Sequence, residues 1–154
     1  MIFQMIELVS LLLLLLVTGV FWGPWLALHR SLDQFTKEEF LRIVEVLGRN
    51  LGRPMQIMMP LCLLFMTLCV VLFPEKATMN FYLMIGSLGF IIVTLIVTMT
   101  TELPIIRKIA TWKLETLPSN WQDTRDKWVR FHALRVFPAI ISFVLFMIVL
   151  LRLF

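Results

Sequence analysis

Four long apolar stretches that contain almost no charged residue dominate this chain. They cover approximately residues 6–28, 55–73, 79–102 and 131–151 of the 154 residues. About 20 apolar residues in a helix cross the hydrocarbon core of a bilayer. Solid apolar runs, unlike alternating ones, exclude a transmembrane β-barrel. The sequence therefore predicts an all-α integral membrane protein, a four-helix bundle that forms one membrane domain over residues 1–154.

The composition supports this class. Hydrophobic residues make up 60% of the chain and charged residues 16%, whereas soluble domains have roughly 45–50% and about 25%. A soluble chain of this length leaves too much of its surface in water to bury that apolar mass. Composition therefore excludes a soluble enzyme, a disordered segment and a disulfide-rich secreted module.

The distribution of Lys and Arg predicts the orientation in the membrane. The connection between spans one and two holds five of them and the connection between spans three and four holds seven, against only Lys76 and Arg152 on the opposite side. We therefore expect both long basic connections to be cytoplasmic and both termini to lie outside an inner (plasma) membrane. The net charge of +4 then faces anionic membrane lipids, and no nucleic acid is needed to explain it.

The first basic connection contains a predicted short amphipathic helix at the membrane interface, approximately residues 37–51. Thr36 and Glu39 have the spacing of a capping box. Apolar residues then recur at helical spacing, namely Phe40, Ile43, Val44, Leu47 and Leu51. A break before span two is predicted by three residues that weaken helices, namely Gly48, Gly52 and Pro54.

Gly19 and Gly23 form a G-x-x-x-G pattern in span one. Small residues let helices approach closely in lipid. Two uses of this pattern stay open, close packing inside the bundle and the seam of a homodimer.

Three ionisable residues fall at the same predicted depth on the basic side. His29 ends span one, Glu102 ends span three and His132 opens span four. Ionisable groups at membrane depth are candidates for function, so we predict a catalytic site here. Two chemistries stay open: a single transition metal, Fe or Zn, held by the two imidazoles and the carboxylate, or proton transfer without a cofactor. A purely structural pairing of Glu102 with Arg135 or Arg30 is the alternative.

Four polar or aromatic residues share one face of the predicted fourth helix, because they are spaced by three, four and three residues: Arg125, Trp128, His132 and Arg135. Arg beside aromatic groups suits an anionic or enolate-like group on an aromatic substrate. All five tryptophans lie towards the basic side, which indicates either an aromatic-walled pocket or ordinary interfacial anchoring. The predicted substrate-binding residues are Arg125, Trp128, Arg135, Trp112, Trp121 and Arg30.

Several polar and aromatic blocks stand out along the chain: residues 23–36, 101–106 leading to Trp112, 117–121, 125–128 and 132–135. Together these blocks resemble the anthrone-oxygenase-like family of small four-span membrane proteins. Fungal members of that family are associated with the oxidation of anthrones to anthraquinones by O2. The resemblance implies importance for seven residues of this chain, Glu102, Trp112, Trp121, Arg125, Trp128, His132 and Arg135.

Three functions follow as hypotheses. The first is an oxidoreductase or oxygenase that acts on a lipophilic aromatic or quinone-like substrate at the cytoplasmic side. The second is a non-catalytic membrane subunit that binds lipid or a partner protein. The third is transport of a small molecule or a metal, suggested by the sulfur-rich stripe of span two, which comprises Met55, Met58, Met59, Cys62, Met66 and Cys69.

Overall fold

The computed structural model describes residues 1–28 and 31–153. Five α-helices form in this part of the chain, with a π-helical turn at Thr98–Glu102 and a short 3₁₀ turn at Leu114–Thr116. The α-helices are α1 (Ile2–Leu28), α2 (Lys37–Val71), α3 (Met79–Val97), α4 (Leu103–Ala110) and α5 (Trp121–Leu150).

The helices pack as an up-and-down bundle whose inward side chains include several hydroxyl groups. Ser87 on α3 and Ser142 on α5 each donate to the carbonyl oxygen of the other at 2.7 Å. Ser10 on α1 lies 3.2 Å from the Cys69 sulfur on α2. Such bonds satisfy polar groups that would otherwise face hydrocarbon, and they fix the register between neighbouring helices.

The helical segments meet the requirements for crossing a bilayer. Within residues 1–28 and 31–153, four helical segments are long and apolar enough to do so: Ile2–Leu28, Lys37–Val71, Met79–Ala110 and Trp121–Leu150. The predicted all-α class with four membrane-spanning helices in a bundle is confirmed. The chain is a multi-pass membrane protein.

Helix α2 corrects one expectation, because it runs unbroken through Gly48, Gly52 and Pro54. The amphipathic segment is therefore the first half of α2 rather than a separate helix. A single inward stripe continues on both sides of the expected break, with Phe40, Val44 and Leu47 before it and Met55, Met59, Cys62, Met66 and Cys69 after it. Burial of this stripe outweighs the weak helix propensity of the glycines and the hydrogen bond that Pro54 cannot make.

The first half of α2 caps one end of the bundle, which we call the basic end. It begins at the predicted capping box, which is confirmed: the Thr36 side chain accepts from the Glu39 amide, and the Glu39 carboxylate accepts from the Thr36 amide at 2.8 Å. Its inner face packs on α4 and α5 in an apolar cluster around Phe40, Ile109 and Trp128. The opposite end of the bundle, formed by the start of α1, the 72–78 connection and the end of α5, is called the terminal end.

The G-x-x-x-G pattern of span one does not pack inside the bundle. A Cβ atom at Gly19 or Gly23 would meet no atom within 4 Å, so these glycines face away from the neighbouring helices that the structure describes. Gly86 on α3 is different, since its added Cβ would lie 3.5 Å from Leu145 on α5.

Replacement of Thr36 by Ala is expected to fray the start of α2. The change removes one side-chain acceptor and the partner of Glu39, a loss of about 1 kcal/mol in helix stability. Hydrogen–deuterium exchange of the amides of Glu39 and Phe40, which bond Thr36, should accelerate roughly fivefold, as about 1 kcal/mol of local stability implies. Thr67→Ala, which removes a hydroxyl bonded to its own helix, is the control and should leave these amides unchanged. Unaltered exchange in Thr36→Ala would contradict the capping role.

Candidate functional site

Glu102 is the fully buried carboxylate at the centre of the site, with 0% of the residue exposed. It ends the π-helical turn, in which the Leu103 amide donates to the Thr98 carbonyl five residues earlier. Two local features favour this turn. Thr98 and Thr101 hydrogen-bond to carbonyls of the preceding turn of helix, and Pro104 has no amide hydrogen to continue the α-helical pattern. The wider turn directs Glu102 into the bundle, and π-helical turns often occur at functional sites.

Three side chains of α5 converge on a single oxygen of Glu102. Trp128 Nε1 donates to Glu102 Oε1 at 2.9 Å, Arg135 Nη2 lies 2.9 Å from the same oxygen, and His132 Nδ1 lies 3.0 Å from it. Trp128, His132 and Arg135 are spaced by four and three residues, so they lie on one face of the helix. We call these four residues the Glu102 cluster.

His132 also binds the backbone of α1. Its Nε2 atom lies 3.0 Å from the carbonyl oxygen of Phe21, which can only accept, so Nε2 carries the hydrogen. This contact lies beside Pro24, whose missing amide hydrogen interrupts the hydrogen bonding of α1 in the same turn. His132 therefore joins α1 to the Glu102 cluster on α5 and the π-helical turn.

The second ring nitrogen of His132 has two possible roles. Nδ1 lies 2.9 Å from Arg135 Nη2 and 3.0 Å from Glu102 Oε1. A neutral ring accepts a hydrogen bond from Arg135 at Nδ1, whereas a protonated ring donates to Glu102. Gain or loss of one proton therefore exchanges one hydrogen bond for the other, which is the behaviour required of a proton relay.

Two buried polar atoms of the cluster are unused. Among the described residues, neither Glu102 Oε2 nor Arg135 Nε has a hydrogen-bond partner. The Arg135 guanidinium is held in place, because its Cζ atom lies 4.5 Å from the centre of the Phe21 ring. An unmade hydrogen bond at a buried group costs about 1–3 kcal/mol, and more at a charged group. The cluster thus offers one acceptor and one donor to a ligand.

A small cavity adjoins His132. Its volume is about 20 Å³, and its walls include Pro24, Trp25, Leu28 and Trp128. This volume accommodates about one water molecule. In this conformation the cavity has no room for an aromatic ring.

The structure unites only part of the predicted site. Glu102, His132, Arg135 and Trp128 come together, whereas His29 and Arg30 lie outside the described residues. Arg125 is directed elsewhere, because it pairs with Asp126 at 2.9 Å and lies over the Trp121 ring.

Trp112 and Trp121 pack in the apolar cluster of the basic end and do not line the cavity beside His132. The sulfur-rich stripe of α2 also has a packing role, with Cys62, Met66 and Cys69 each 0% exposed in the bundle core.

Sequence reasoning did not identify Phe21 as part of the site. Its contribution is a backbone carbonyl and a ring beneath Arg135. Neither feature can be recognised from the type of residue in the sequence. The available signal was Pro24 three residues later, since a proline inside a membrane helix loosens the hydrogen bonding of the turn before it.

The predicted metal centre of His29, Glu102 and His132 stays a prediction, because His29 lies outside the described residues. No group of three His, Cys, Asp or Glu side chains suited to a metal ion occurs in residues 1–28 and 31–153. In addition, Arg135 lies 2.9 Å from both Glu102 Oε1 and His132 Nδ1. Its fixed positive charge stands where a cation shared by these two ligands would have to bind.

Comparison with known proteins gives a family. No curated protein and no solved structure matches this chain. The profile described as anthrone oxygenase matches residues 51–145. The match covers more than half of the chain and extends from the middle of α2 through most of α5, so that it includes the whole Glu102 cluster. The chain therefore belongs to the anthrone oxygenase family.

Proposed function

We propose that this protein is a membrane oxidoreductase that oxidises a lipophilic aromatic or quinone-like substrate with O2 at the Glu102 cluster. The observation that carries the proposal is the unused pair of buried atoms, Glu102 Oε2 as acceptor and Arg135 Nε as donor. The family description supports the same reaction class. The basic distribution of Lys and Arg supports a cytoplasmic position for this end of the bundle, in the inner membrane.

The two unused atoms complement an aromatic ketone with an acidic CH2 group, such as an anthrone. Arg135 Nε donates to the ketone oxygen, and Glu102 Oε2 faces the acidic proton. Removal of that proton places negative charge on the ketone oxygen, where the Arg135 cation stabilises it. His132 holds the Arg135 group on its other side and takes up or returns a proton at Nδ1.

The overall reaction balances with O2 as the only oxidant. The carbanion formed by loss of the proton transfers its electrons to O2 and forms a C–O bond, which gives a hydroperoxide after protonation. Loss of the remaining hydrogen on that carbon and cleavage of the O–O bond release water and leave a second ketone. The chain's residues supply the base, the proton and the cation, and the substrate supplies the electrons.

A non-catalytic role as a lipid-binding or partner-binding subunit is the second candidate. One observation favours it: the cavity beside His132 holds only about 20 Å³, so the cluster is closed in this conformation. In that case the Glu102–Arg135 pair acts only to hold α3 and α5 together, and the protein has no turnover.

Replacement of Glu102 by Gln separates these two candidates. The amide keeps the shape of the side chain but is not a base, so we expect turnover of an anthrone to fall by a factor of about 100 or more. Turnover is measured as O2 consumption and quinone formation by the full chain in lipid nanodiscs. Glu45→Gln, at an exposed site on α2, is the matched control and should retain wild-type turnover. Unchanged turnover in Glu102→Gln, or none in the wild type, would contradict the proposal.

Replacement of Trp128 by Phe tests the positioning of the carboxylate. The variant keeps an aromatic ring but loses the indole N–H that donates to Glu102 Oε1. The free energy of unfolding should therefore fall by about 1–3 kcal/mol. We expect a lower kcat with little change in KM, because Trp128 acts through Glu102. Trp22→Phe, on the exposed side of α1, is the control. A changed KM with normal kcat would instead indicate direct contact of Trp128 with substrate.

Metal removal is expected to leave turnover unchanged, since Arg135 occupies the position between the two ligands. Dialysis against a chelator, followed by elemental analysis and the turnover assay, checks this. Loss of activity that Fe or Zn restores would reject the metal-free assignment.

A further inference from the structure

The terminal end of the bundle contains a second, larger cavity of about 750 Å³. Residues from the start of α1, the 72–78 connection, the start of α3 and the end of α5 form its walls. Its size falls within the range of ligand-binding pockets in proteins, about 300–1,000 Å³. It lies at the opposite end of the bundle from the Glu102 cluster, and the proposed oxidation does not use it.

The walls of this cavity combine membrane-facing and charged surfaces. The apolar part comes from the spanning helices, and Leu8, which is 47% exposed, is one of its members. The charged part consists of Glu7, Glu75, Arg152 and the amino group of Met1. A ligand that fits both parts is an amphiphile with an apolar tail and a charged head.

The charged residues of the walls indicate which polar head the amphiphile would carry. Glu7 is half-buried and lines the same cavity as Arg152. In the part of the chain that the structure describes, the ion pairs do not include Glu7, Glu75 or Arg152. Two carboxylates, one guanidinium and the Met1 amino group therefore face a single cavity, a set that complements one ammonium group and one phosphate group.

We propose that this cavity binds a phospholipid with a primary ammonium head group, of the phosphatidylethanolamine class. The ammonium group donates to the carboxylates of Glu7 and Glu75, the phosphate binds Arg152, and the acyl chains follow the apolar wall that includes Leu8. The balanced charges of the walls, two carboxylates against two cations, favour a lipid without net charge. A choline head group offers no N–H donors, so it makes weaker contacts with Glu7.

The test is a lipid titration of the purified full chain in detergent, followed by native mass spectrometry. The four ligands are phosphatidylethanolamine, phosphatidylcholine and phosphatidylglycerol with identical acyl chains, and water-soluble glycerophosphoethanolamine. We expect phosphatidylethanolamine to bind roughly tenfold tighter than either other lipid, as one charge-assisted hydrogen bond implies. The soluble head group should bind much more weakly than the lipid.

Variants connect this preference to the cavity. Glu7→Gln and Arg152→Gln should each weaken phosphatidylethanolamine binding roughly tenfold, while anthrone oxidation stays at the wild-type rate. Glu45→Gln and Arg130→Gln remove exposed charges elsewhere and should bind this lipid as the wild type does.

Three results would overturn the proposal: equal affinity for the three lipids, unchanged binding in Glu7→Gln, or equally tight binding of glycerophosphoethanolamine. The last result would show that the ligand comes from the aqueous phase. Loss of oxidation in the wild type would reject the proposed function and leave the lipid result standing.

Discussion

The carboxylate of Glu102 is the group on which the arrangement of the bundle depends. An unpaired charge buried in a membrane protein costs several kcal/mol, so a fully buried carboxylate requires donors at fixed positions. Trp128, His132 and Arg135 supply three contacts of 2.9–3.0 Å from one face of α5. These contacts set the register between α5 and the π-helical turn, and the Ser87–Ser142 pair maintains it further along the same helices.

The charges of the Glu102 cluster compensate each other, but two of its polar atoms have no hydrogen-bond partner among the described residues. Glu102 and Arg135 neutralise each other, and all three contacts from α5 fall on Oε1, which leaves Oε2 and Arg135 Nε without a hydrogen-bond partner among the described residues. A pair that served only to join two helices would gain stability from a bidentate contact that used both carboxylate oxygens. The observed contact gives up that stability, which agrees with the proposed role of the cluster as a ligand site.

The sequence predicted those parts of the structure that depend on apolar periodicity and depth. The spans and the meeting of Glu102 with His132 follow from topology, since both residues lie where their spans reach the basic end. The capping box at Thr36 follows from local spacing. The unbroken path of α2 past Pro54 was not predicted. Burial of an apolar stripe on both sides of Pro54 outweighs the local signals that break helices.

The sequence also did not predict the direction of long side chains. Arg125 shares a helical face with Trp128 and His132, yet it pairs with Asp126 and donates to the Leu32 carbonyl. Helical spacing predicts the face of the helix on which a residue lies. It does not predict which group a long side chain contacts. The π-helical turn was also missed, because the run of threonines before Pro104 changes the register of the helix only through hydrogen bonds to the backbone.

Under the proposed function, access to the cluster and its chemistry are physically coupled through α1. The cavity beside His132 is enclosed on one side by Pro24, Trp25 and Leu28, so a substrate must displace this end of α1. The same displacement stretches the hydrogen bond between His132 Nε2 and the Phe21 carbonyl, the contact that fixes which ring nitrogen carries hydrogen. Entry of substrate would therefore release the imidazole from its single tautomer when a base and a donor are needed. The weakened turn at Pro24 is the part of α1 where such movement breaks the fewest backbone hydrogen bonds.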